Sequence, residues 1–320
     1  MNKLHKLIKR LCFQTILLAI TIPIYSFGQD LEFNQRVARK YISIDLSKAQ
    51  NLQDIVTGIN SLTTDKREKL QMLLLWSYQN MNVDSNRFFN GGMPLTRNQA
   101  IKSRRGLCDE FSNIVNDFCK SVEIPTIRVA GYVKTNSFQP GDKFRESNHA
   151  WNAVLLDSTW MLCDLFWSIA ELKESPTTTA HFEKKLMNKY FLASPSSFAK
   201  DHLPSDPVFQ FENYPVGIEA FTNSREGIDA AIEKLPFLNY TDSISNLMKL
   251  DVKNRQVRIA EHAYAYNKYN PNDLIAEYYN YSVDVLNSKA PISNKIEIKE
   301  LRESCKAGLT RVDKKLSMFN

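Results

Sequence analysis

The chain has 320 residues, 43% of them hydrophobic and 24% charged, with a formal charge of +6. That balance describes a folded protein and excludes a disordered chain, and no Lys/Arg run suggests nucleic acid as a partner. The length fits one large domain or two small ones.

Lys3, Lys6, Lys9 and Arg10 precede an apolar run from Leu11 to Tyr25 that ends in Ser26-Phe27-Gly28. This layout predicts a secretory signal peptide over residues 1–28, cleaved before Gln29. The apolar run is shorter than the roughly 20 residues of a membrane-spanning helix, and Cys12 lies inside it, which argues against lipidation. The expectation is an exported protein, periplasmic or extracellular, with no stable membrane anchor. Four Lys/Arg and no Asp/Glu fall in this segment, so most of the +6 belongs to it.

Helical segments come next. Asp65 and Glu68 form a capping-box pattern, followed by Leu70, Leu73, Leu74, Tyr78 and Met81 at helical spacing, with Trp76 off the stripe. Asn90-Gly91-Gly92 and Pro94 predict a loop, and Thr96 a cap for a short helix ending at Gly106. From Cys108 the pattern is helical again, with Phe111, Ile114, Val115, Phe118 and Val122 on one face until Ile124-Pro125. Residues 126–134 read as a strand, and runs 148–156 and 159–166 read as a hairpin around Asp157-Ser158. Residues 171–180 read as a loop. Pro195, Pro204, Pro207 and Pro215 predict an extended wrap, and residues 226–320 read as mostly helical. There Ile275, Tyr278, Tyr279, Ser282 and Leu286 form a stripe, and Pro271 separates that helix from one over 255–269.

After cleavage four cysteines stand at 108, 119, 163 and 305. Cys108 and Cys119 on one helix would be roughly 16 Å apart at 1.5 Å per residue, beyond disulfide reach, so at least one thiol is expected to be free. No CxxC pair or His/Cys spacing reads as zinc, His181, His202 and His262 have no partners at ligand spacing, and neither metal nor cofactor is expected.

A cysteine nucleophile needs its thiolate, which a helix N-terminus and a histidine partner both stabilise. Cys108 follows Gly106, which lets the chain turn tightly, and opens a helix. With Asp157-Ser158 as a two-residue turn, Leu156 pairs with Thr159, Leu155 with Trp160 and Trp151 with Asp164. His149, two residues before Trp151, then shares a face with Asp164, and Cys163 turns to the other face as a buried structural thiol. A three-residue loop would reverse that parity. Taken alone, Cys108 reads as a small buried hydrophobe, His149 as a strand histidine and Asp164 as a turn cap. Together they read as nucleophile, base and orienting acid for acyl transfer. The backbone N–H of Cys108 is one candidate oxyanion donor, and Gln99, Asn98 and Trp76 are candidates for the second.

Arg105-Gly106-Leu107-Cys108, Gly131-Tyr132-Val133, Asn148-His149-Ala150-Trp151-Asn152, Trp160 and Asp164-Leu165-Phe166-Trp167 resemble, in this order, the transglutaminase-like superfamily. Tyr190-Phe191-Leu192, Pro195, Phe198 and His202-Leu203-Pro204-Ser205-Asp206-Pro207 with Gln210 look like its kyphoscoliosis peptidase branch. Glu110-Phe111, after the nucleophile, and Phe166 depart from the usual pattern. The resemblance implies an α+β, papain-like core, a nucleophile helix packed on an antiparallel sheet, with Cys108, His149 and Asp164 as the triad. The expected organisation is a core with N-terminal helices and wrap over 29–215 and a helical region over 216–320. The expected substrate is an amide bond in a protein or peptide, cleaved by hydrolysis. Transglutaminase-type cross-linking and a non-catalytic protein-binding scaffold are the alternatives, and the C-terminal helices are candidates to hold a protein partner.

Overall fold

The computed structural model describes residues 31–135, 138–175, 178–223 and 235–287. The predicted signal peptide and Cys305 lie outside them. The elements, in order, are α1 (Leu31–Tyr41), α2 (Leu52–Asn60), α3 (Lys66–Asn80), β1 (Asn82–Val83), α4 (Ser85–Asn90), α5 (Arg97–Ser103), β2 (Arg105–Gly106), α6 (Cys108–Ser121) and β3 (Thr126–Val133). Then come β4 (His149–Leu156), β5 (Thr159–Cys163), α7 (Leu165–Ile169), β6 (Ala170–Ser175), β7 (Thr178–Lys184), α8 (Pro195–Phe198) and β8 (His202–Pro204). Helices α9 (Ile218–Asn223), α10 (Tyr240–Lys249), α11 (Val252–Tyr266) and α12 (Asn272–Asn287) follow. The fold is α+β. Among the described residues, no helix is long and apolar enough to cross a membrane.

Contacts gather the chain into two units, one of residues up to Arg128 with Ala150–Phe198, the other of Val129–His149 with the chain from Ala199 on. Strands β4 and β5 lie almost wholly in the first unit and β8 in the second, while β3 begins in the first and ends in the second. In the first unit β4 and β5 pair antiparallel, and the Leu155 N–H bonds the Pro125 carbonyl at 2.9 Å beside the start of β3. In the second, the end of β3 pairs antiparallel with β8, Gly131 opposite Pro204 and Val133 opposite His202.

The core of the first unit joins α2, α3 and α6 to β4. Phe111, Ile114, Val115 and Phe118 of α6 pack with Val154 and Leu156. The apolar stripe expected on α3 widens in its central turns, where Met72, Leu75 and Trp76 are buried along with Leu70, Leu73 and Leu74, while Lys66 and Gln79 near its ends are exposed. Asp65 caps it by accepting the Glu68 N–H at 2.8 Å.

Two elements differ from the sequence expectations. Residues 170–175 and 178–184 form a two-stranded antiparallel ribbon rather than a loop, with Leu172 opposite Phe182 and Ser175 opposite Thr178. Thr178 and Thr179 are β-branched and suit a strand once paired. On α12 the inward residue is Leu274, which packs with Ala260, Tyr264 and Tyr278, whereas Ile275 is exposed. The remainder of the proposed stripe, Tyr279, Ser282 and Leu286, has no described side chains.

Candidate functional site

Cys108 is the first residue of α6, and its setting is built by a carboxylate the sequence pattern did not single out. Leu107, the residue before the helix, has no side-chain acceptor with which to cap it. Glu110, in the first turn, reaches back instead and accepts the Leu107 N–H at 2.7 Å. The same carboxylate accepts the Leu95 N–H at 2.8 Å and both of its oxygens take the Arg87 guanidinium, at 2.9 and 3.0 Å. Glu110 is only 1% exposed. Its one signal in the sequence is a Glu three residues after an extended Leu, half of a capping box.

Gly106 serves differently from expectation. It does not provide the turn, because the left-handed residue that ends α5 is Arg104, with φ 59°. Gly106 sits in β2 opposite Val83, and a Cβ there would stand 3.1 Å from the Glu110 Cβ. Glycine therefore permits the close approach of the strand to the helix. Cys108 is half-buried with a free thiol, at a helix end whose N–H groups favour an anion. Arg128 flanks that first turn, paired with Asp109 and donating from Nε to Ser112 Oγ at 3.1 Å.

The hairpin has the expected register. Leu156 pairs with Thr159, Leu155 with Trp160 and Asn152 with Cys163. Asp157 and Ser158 both have positive φ, 50° and 62°, the signature of a type I′ two-residue turn. The next positions beyond the ladder are Trp151 and Asp164, and His149 lies two residues further along β4 on the Trp151 face. Strand β5 stops at Cys163 rather than running to 166, because Asp164 caps α7 by accepting the Trp167 N–H at 3.0 Å. Its own N–H donates to the Tyr190 carbonyl at 2.8 Å. Phe166 is thereby a buried helical residue, edge-on to Phe111 with centroids 6.0 Å apart.

His149 and His202 are both buried, and so is Asp164. Spacing in the sequence gave His202 no partner. The fold puts its ring 5.6 Å from that of His149, edge to face, and its Nδ1 2.6 Å from Asp201 Oδ1.

The other described thiols are poor nucleophiles. Burial pushes Cys119 up to about 12, and burial, with smaller contributions from Cys119 and Asp164, drives Cys163 well above the usual range. Of the candidates for a second oxyanion donor, Trp76 is occupied, donating from Nε1 to the Leu46 carbonyl at 3.0 Å. Gln99 closes the capping box with Thr96.

Residues 53–165, a span containing Cys108, His149 and Asp164, match the family model of the transglutaminase-like superfamily. The chain carries a transglutaminase-like domain. Kyphoscoliosis peptidase of Mus musculus is 26% identical over 195 residues, 58% of this chain and 29% of that protein. Kyphoscoliosis peptidase of Homo sapiens is 30% identical over 125 residues, 39% of this chain and 18% of that one. These relatives support the kyphoscoliosis peptidase branch of the superfamily for the transglutaminase-like domain, and the chain spans less than a third of the length of either. Arylamine N-acetyltransferase C from Bacillus anthracis aligns at 15% identity and a TM-score of 0.29, covering 42% of this chain and 65% of that one. A likeness that weak carries no argument.

Proposed function

We propose that the protein is an exported cysteine-dependent acyl-transfer enzyme that hydrolyses amide bonds in proteins or peptides. Cys108 is the nucleophile, His149 the base and Asp164 the group that orients the imidazole. The observation that supports this reading is the two-residue hairpin turn with Asn152 opposite Cys163, the register that a shared face for His149 and Asp164 requires, in a domain whose α6 begins at Cys108.

In the proposed reaction His149 takes the Cys108 proton and Sγ attacks the amide carbonyl carbon. The oxyanion is held by the backbone N–H of Cys108. The C–N bond then breaks as His149 returns the proton to the leaving nitrogen. Water, deprotonated by the same imidazole, cleaves the thioester, releasing the carboxylic acid and restoring the thiol. Asp164 keeps one imidazole nitrogen protonated so that the other faces the thiol.

The test is a peptide library incubated with the purified protein, run beside an active-site thiol probe. Cys108→Ala should abolish both turnover and labelling, and a variant as active as the parent refutes the assignment. Amine incorporation into a glutamine donor, with no hydrolysis, would move the reading to cross-linking.

A further inference from the structure

We propose that Asp273, in the first turn of α12, is a positioning residue for the catalytic base, a role resting on the reading of His149 given above. The segment that delivers His149 into β4 is clamped from one side by β3. The Asn148 N–H donates to the Gly131 carbonyl at 3.0 Å, and the Asn148 side chain accepts the Val133 N–H at 2.8 Å and donates to the Val133 carbonyl at 3.0 Å. The residue before it is clamped by the C-terminal helices. Asp273 accepts the Ser147 N–H at 3.0 Å through Oδ1 and the Ser147 hydroxyl at 2.5 Å through Oδ2.

The carboxylate is itself held. Asn270, fully buried, donates to Asp273 Oδ2 at 2.7 Å and to the Tyr132 hydroxyl at 2.9 Å. Asn267, also buried, donates to the Phe144 carbonyl at 3.0 Å. The turn between α11 and α12 thus grips the 144–147 segment at both ends, with Asp273 bonded to the residue two positions before His149. A surface helix hairpin would need none of these bonds for its own packing, which Leu274, Tyr264 and Ala260 supply. Buried amides and a carboxylate committed to a loop's backbone fix that loop's position. A base must be held to a fraction of an ångström to work.

The rate of Cys108 alkylation by iodoacetamide at pH 6.5, read by mass spectrometry of its peptide, reports whether His149 is placed to activate the thiol. Asp273→Ala should slow it about tenfold, toward the His149→Ala rate, as expected for a misplaced catalytic group. Asp273→Asn keeps an acceptor for Ser147 and should recover most of the parent rate. Ser147→Ala, which loses one hydrogen bond, should slow labelling about threefold. It carries the test if Asp273→Ala does not fold. Parent-like labelling in folded Asp273→Ala, or in Ser147→Ala if the former is unfolded, overturns the positioning role while leaving the triad intact. If His149→Ala itself labels like the parent, the base assignment fails and the positioning role falls with it.

Discussion

Glu110→Ala is the most informative single change at the start of α6. The variant removes the acceptor for two backbone N–H groups and the charge facing Arg87, whose side chain is only 13% exposed. Breaking a buried ion pair from one side costs about 3–5 kcal/mol. Arg87 keeps Asp84 as a partner, but at 3.9 Å, so the charge contribution falls at the low end. The stranded N–H groups of Leu95 and Leu107 add about 1 kcal/mol or more where water cannot reach them. A total near 4 kcal/mol follows, and at about 2–4 °C per kcal/mol for a chain of this size it lowers the melting temperature by roughly 10 °C. Urea denaturation with a thermal melt measures this directly. The companion Arg87→Met with Glu110→Leu should cost less than Glu110→Ala, because no charge is left buried alone. A loss below about 1 kcal/mol for Glu110→Ala, the range of a surface pair, would refute the account of how α6 is anchored.

In the folded protein, alkylation at neutral pH should modify Cys108 while Cys119 and Cys163 react only after denaturation; early labelling of either buried thiol would contradict its burial. The His262 pKa is raised because its Nδ1 bonds Asp206 Oδ2 at 2.9 Å, against burial and Arg258, which lower it, and with Glu261 adding slightly. A raised pKa means the protonated imidazole contributes stability in full below its ordinary 6.5 and loses it as pH climbs through the folded value. Parent stability relative to His262→Gln, from urea midpoints between about pH 5.5 and 8.5, should therefore fall with rising pH. A flat difference would show that the pair is unlinked to folding.

The hairpin around Asp157-Ser158 was legible because parity is a strict rule. Once the turn is two residues long, the facing of each side chain follows, and Leu156 opposite Thr159 fixes the rest. Helix α6 was legible from its apolar period. Glu110 was not, since its partners Arg87 and Leu95 are brought to it by loops whose course the local pattern does not encode. The ribbon of β6 and β7 was missed because threonine favours loop and strand alike until a partner strand is present. The Asn267, Asn270 and Asp273 set escaped for a related reason. Polar residues around a proline suggest an exposed turn, and only the fold shows two of them fully buried.

Surface turns ordinarily tolerate insertions and deletions, since their backbone faces water. The Asp157-Ser158 turn is solvent-exposed and yet belongs to another class. Both residues hold left-handed backbone without glycine, and adding one residue there would move every following side chain of β5 to the opposite face. Glycine at either position should be accepted, while a change of length by one should not. In this hairpin the count of residues in the loop, more than their identity, is what the facing of β5 depends on.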